Sequence, residues 1–99
     1  MIQSKLPQAT SHLQVDNERV RVTEWRFAPG AETGVHVHGM DYVIVPCLTG
    51  RLKIAAPDGQ ESFAELKQGG SYFRHAGVHH NVINANDFEF AFVEVELKP

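Results

Sequence analysis

GVHVHGMDYVIVPCLTG, residues 34–50, carries two histidines two positions apart in an extended, valine-rich run. Side chains on a strand alternate between faces, so residues i and i+2 point the same way. His36 and His38 therefore offer two imidazoles to one point in space, which is how a strand presents a metal ion with two ligands. A second segment, GVHHNVIN at residues 77–84, has a related form. On a strand His80, Val82 and Asn84 share one face, and His79, Asn81 and Ile83 share the other. Only one of the paired histidines can join a site, and Asn84 lies beyond His80 on the same side.

Outward from these segments the chain reads as β throughout. Residues 1–9 are polar, include Pro7 and are expected to form a loose arm; residues 10–99 are expected to form one barrel domain. Val20 and Val22 alternate with Arg19, Arg21 and Thr23, a strand pattern. At Trp25 and Phe27 the apolar residues change phase, which predicts a bulge or a strand passing between sheets. Pro46, inside the apolar run 42–48, predicts a bulge or an edge because proline cannot donate to a ladder. The last segment holds Phe88, Phe90 and Phe92 on one face, then Val93, Val95 and Leu97 on the other, a second phase slip. No segment carries a 3.6-residue apolar period; ESFAELK, residues 61–67, is the one helix candidate, and it is short. Turn signals about every eight to twelve residues, with β-rich runs between them, predict an antiparallel sandwich or barrel.

Composition narrows the function classes. Ninety-nine residues make one domain. A net charge of −3 with nine scattered Lys and Arg gives no basic patch for nucleic acid. Cys47 is the single cysteine, so neither a disulfide framework nor a cysteine-based zinc site is available, and a lone thiol suits a reducing cytosol. The N-terminal residues lack the apolar core of a secretory signal, and no apolar run approaches the ~18 residues of a membrane span. The expectation is a cytoplasmic protein with neither nucleic-acid nor membrane partners.

The spacing of glycines and histidines resembles a small single-domain bacterial cupin of the RmlC-like kind. The first cupin motif, G-x5-H-x-H-x3,4-E-x6-G, is matched by Gly30, His36, His38 and Gly50. The second, G-x5-P-x-G-x2-H-x3-N, is matched by Gly69, Gly77, His80 and Asn84, with eighteen residues between the two. The resemblance implies an all-β jelly-roll barrel and makes His36, His38 and His80 the metal ligands. WRFAPGAETG, HGMDYVIVP and AGVHHNVINAN further resemble bacterial cupins labelled with β-alanine degradation. Two positions depart from the pattern. His75 stands where the second motif has proline. The first motif's glutamate is missing: with three or four residues intervening after His38, its place falls on Tyr42 or Val43, while Asp41 is one residue early. Asp41 reaches the metal only if a bulge resets the phase; otherwise the site has three neutral histidines, which points toward the three-histidine cupins, thiol dioxygenases among them.

Each further candidate has a plain reading beside the functional one. Asn84 sits behind the ligands or caps the turn that follows it. Tyr42 and Tyr72 could present a hydroxyl to a substrate, with aromatic packing the default. His75 is an acid/base or extra ligand at the barrel mouth, or a solvated turn residue. Arg26 and Arg74 could hold a substrate carboxylate, or lie on the surface. His79 and His12 read as uninvolved, and Cys47 as core. The Phe88, Phe90 and Phe92 stripe lines the barrel or a dimer core. Together these features predict a site for one divalent ion (Fe, Zn, Mn or Ni) that takes a small anionic molecule. They favour oxygenase or isomerase chemistry over a non-catalytic metabolite-binding or accessory role. Open sheet edges predict a homodimer.

Overall fold

In the computed structural model, residues 6–99 are described, and every element among them is a strand. Residues 1–5 of the expected arm lie outside the described residues. No helix there is long and apolar enough to cross a membrane. The strands are β1 (Thr10–Asp16), β2 (Val20–Phe27), β3 (His36–Val37), β4 (Asp41–Pro46), β5 (Gly50–Ala55), β6 (Glu61–Leu66), β7 (Tyr72–Arg74), β8 (His79–Asn84) and β9 (Phe90–Leu97). They form a five-stranded sheet, β1-β2-β9-β4-β7, facing a four-stranded sheet, β3-β8-β5-β6. Every pairing between strands is antiparallel, the arrangement of a jelly roll. The helix candidate at 61–67 is instead strand β6, paired with β5 from Gly50↔Leu66 to Ala55↔Glu61.

Both predicted phase slips are absent. β2 and β9 pair without a break from Val20↔Leu97 to Phe27↔Phe90. The irregularity lies in β1, between Leu13 and Val15. The sheet is apolar on both faces, which is why the pattern misleads. Phe27, Phe90 and Phe92 pack inward and are buried, while Val22, Val93 and Val95 lie half-buried on the outer face. Phe88 leaves the stripe for an exposed turn. Pro46 ends β4 at its pairing with Phe92, so no central ladder bond is lost.

The core between the sheets is built on Phe27, Tyr42, Ile44, Leu52, Phe90 and Phe92. Each large side chain removed from water there stabilises the fold by about 1.5–3 kcal/mol. Gly50 is required by a close approach: a Cβ at this position would lie 2.8 Å from the Phe90 ring. Pro7 and Ala9, just before β1, bond to the loop before β3. Glu32 donates its N–H to Pro7 O at 2.9 Å, and Ala9 donates to Glu32 O at 2.8 Å. Asn84, 2% exposed, clasps two loops: its amide donates to the carbonyls of Phe27, Ala28 and Phe88, and its Oδ1 accepts from the backbone and side chain of Asn86.

Candidate metal centre

Strand pairing brings the three histidines together. His36 lies directly opposite His80 in the β3–β8 ladder, so the two side chains project to the same side. His38 follows two residues on. It is pinned by its own N–H to Val78 O at 2.9 Å, and its carbonyl accepts from Gly77 N–H at 2.7 Å. Gly77 makes this turn at φ +101°, a conformation side-chain-bearing residues rarely adopt. The Nε2 atoms of His36 and His38 lie 3.1 Å apart, and those of His38 and His80 lie 3.2 Å apart. Nitrogens about 2.0–2.1 Å from a shared ion lie about 2.9–3.4 Å from one another, which both of these separations meet, and all three ligand atoms lie within 4.8 Å of one another. Among the described residues, these three form the one group of histidine, cysteine or carboxylate side chains close enough to share an ion.

The rings are held from behind. His36 Nδ1 meets Gly34 O at 2.8 Å and Thr33 Oγ1 at 3.2 Å; an Nδ1–H donated to the carbonyl leaves Nε2 free to bind. Asn81 fixes that loop: its Oδ1 accepts from Gly34 N–H at 3.0 Å, and its amide donates to the buried Glu32 at 2.7 Å. His38 stacks on the Tyr42 ring, centroids 3.9 Å apart and 20° from parallel. Burial first, and then the neighbouring imidazoles, push His38 and His80 down to about 4, so both rings are neutral at neutral pH.

The rings open onto a cavity of about 230 Å³ between the sheets. Leu52, Ile54, Val82 and Phe92 supply apolar walls, and Tyr42 and Tyr72 line it with their rings. Burial pushes the Tyr42 hydroxyl up to about 12 and raises Tyr72, so both stay protonated donors. Unforeseen in the sequence are two carboxylates, Glu94 and Glu96, which β9 turns inward. Glu94 is 9% exposed; burial, with Glu96 beside it, pushes it up to about 7. Its Oε2 lies 3.7 Å from His38 Nδ1.

Other candidates lie elsewhere. Asp41 pairs with Leu97 on the outer side of β4, and its carboxylate accepts from Ala76 N–H at 2.7 Å, away from the three rings. His75 is 85% exposed, stands 3.9 Å from Asp41 and does not line the cavity. The hydrogen bonds of the Asn84 side chain go to the loop clasp described above and not to a histidine. Arg26 pairs with Glu24 and Glu89 on the surface, and Arg74 lies over the Tyr72 ring. His79 is exposed, and Cys47 is half-buried.

This fold, with three histidines converging inside it, defines the class: residues 23–96 match the cupin domain, and the chain belongs to the cupin family. It is 59% identical over 92 residues to the beta-alanine degradation protein BauB of Pseudomonas aeruginosa, spanning 93% of this chain and 96% of that protein. It is 55% identical to a cupin domain of Bordetella pertussis Tohama I of known crystal structure, with a TM-score of 0.93 over 98% of this chain and 100% of that one. The polyketide cyclase RemF of Streptomyces resistomycificus shares the fold at 23% identity, with a TM-score of 0.71 over 97% of this chain and 71% of that one.

Proposed function

We propose that this cupin is a metal-dependent enzyme of small-molecule catabolism, of the oxygenase or isomerase class, with one divalent ion (Fe, Zn, Mn or Ni) on His36, His38 and His80. The observation that carries the reading is the convergence of three imidazole nitrogens, all within 4.8 Å of one another and His38 within 3.2 Å of both others, on the wall of a cavity sized for a small molecule. When bound, such an ion supplies a Lewis-acid centre with positions open to a substrate donor atom. The chain's own residues do the rest. Leu52, Ile54 and Val82 exclude water, which leaves electrostatic interactions weakly screened. Tyr42 and Tyr72 offer hydroxyl donors that orient the bound molecule. Among the described residues no lysine or arginine lines the cavity, so an anionic substrate group meets the ion and not a side-chain cation. The name of the Pseudomonas relative supports β-alanine catabolism as the setting.

The test is to load metal-free protein with Fe(II) and follow oxygen uptake against thiols, β-amino acids and diketones. Turnover of one class supports the enzyme. Tight calorimetric binding without turnover under any metal selects a non-catalytic metabolite-binding or accessory role. One observation favours that second reading: of the acid–base candidates named from sequence, His75 stands outside the cavity and both tyrosines are held protonated.

We also propose a cytosolic homodimer. The half-buried lone thiol of Cys47 suits a reducing compartment. The outer face of the five-stranded sheet, with Val22, Val43, Val93 and Val95 around the exposed Val15 and Phe73, suits a two-fold interface between copies. Sedimentation of Val95→Lys tests it: wild type runs as a dimer and the variant as a monomer, and a monomeric wild type removes the proposal.

A further inference from the structure

We propose that Glu94 is the residue that positions His38: its carboxylate accepts the Nδ1 proton of that ring and so turns Nε2 toward the centre. The proposal rests on the metal-site reading above.

The geometry leaves His38 little choice. Its Nε2 faces both other rings, at 3.1 and 3.2 Å, so Nδ1 is the nitrogen left to carry a proton. That nitrogen belongs to a ring only 7% exposed, beside the cavity, where an N–H is held best by a protein acceptor. For His36 the acceptor is the Gly34 carbonyl. For His38 it is Glu94, with Oε2 at 3.7 Å, a distance that a small ring rotation closes to hydrogen-bond length. Tyr42, flat against the same imidazole, limits that rotation to the ring's own plane.

Glu94 is itself held in place. β9 is flanked by β2 and β4, with Glu94 paired to Thr23 on one side and Ile44 on the other and no register shift in either ladder. The Trp25 side chain lines the same cavity beside it. A carboxylate in an apolar cavity costs stability relative to an apolar residue of similar size, so a folding role alone does not account for it. Carboxylates behind metal-ligating histidines fix the tautomer and orientation, and their loss weakens metal binding by about 10- to 100-fold.

The experiment compares Zn(II) affinity, by chelator competition, in wild type, Glu94→Gln and Glu94→Leu. It adds melting of the metal-free proteins and long-range nitrogen–proton NMR of Zn(II)-loaded wild type. The expected result is an affinity about tenfold or more weaker in Glu94→Leu, although its metal-free form melts no lower than wild type. Glu94→Gln, which keeps an acceptor oxygen, recovers part of the loss. The spectrum shows His38 protonated at Nδ1 and bound through Nε2. Wild-type affinity in Glu94→Leu, or His38 bound through Nδ1, overturns the positioning role and leaves the metal site standing. A wild type that binds no Zn(II) overturns both.

Discussion

The two walls of the cavity are made in different ways. The four-stranded sheet, with the turn beyond β3, brings the histidines together: an i, i+2 pair and one residue placed opposite by a short ladder. Their rings are steadied by local polar contacts running from Glu32 through Asn81 to the Gly34 loop. The five-stranded sheet brings Tyr42, Glu94 and Glu96, and their place is set by ladders on both flanks of β9. The first wall can be loosened by cutting hydrogen bonds. The second can be altered by changing a side chain with its backbone left in place.

The largest expected effect is on the first wall. His80→Ala should reduce bound divalent metal from about one ion per chain to below about a tenth, by elemental analysis after dialysis, because two imidazoles make a poor site. An unchanged metal content would place the ion elsewhere and end the contrast.

The second prediction sets the walls against each other by pH. Unfolded histidine titrates near 6.5, and His38 and His80 are held to about 4. Between those values the unfolded chain binds more protons, so stability rises with pH. Glu94 runs the other way: raised from 4.5 to about 7, it stabilises fully below 4.5, and that contribution is lost as pH climbs through 7. Two rings outweigh one carboxylate. Urea titrations of metal-free protein should show a net gain on the order of 3 kcal/mol from pH 4 to 7. Glu94→Leu should steepen the rise; a flat profile would contradict the assignment of either wall.

Asn81→Ala comes next. It removes the donor to the buried Glu32 and the acceptor of Gly34 N–H, and should cost about 2 kcal/mol in denaturant unfolding. The smallest effect belongs to Asp41→Ala. It removes an acceptor from one turn amide, about 1 kcal/mol or less, and should leave metal affinity within about twofold of wild type. A large loss of affinity would bring Asp41 back as a ligand.

The first wall was legible in the sequence because its logic is local. His36 and His38 share a strand face, and the glycines around His80 mark the strand that meets them. The second was not, and the reason is physical. Hydrophobic alternation identifies an inner face only when the outer face is polar. Here Val22, Val93 and Val95 make the outer face apolar, so Phe92 followed by Val93 reads as a slip, and the alternation does not single out Glu94 and Glu96. Strand register places those carboxylates, and register is a property of pairing that no single segment carries. Asp41 is the opposite case: close to His38 in the chain, it lies on the outer side of β4, with its carboxylate on Ala76 N–H.

The Asn84 clasp has a kinetic consequence. One side chain holds the loop after β2 and the turn before β9, while its own backbone accepts from Gly30 and donates to Ala31. Neither loop can open alone without stranding buried polar groups. Amide protons of Gly30, Asn84 and Asn86 should therefore exchange with solvent together, as one slow unit, although more than fifty residues separate the first from the other two.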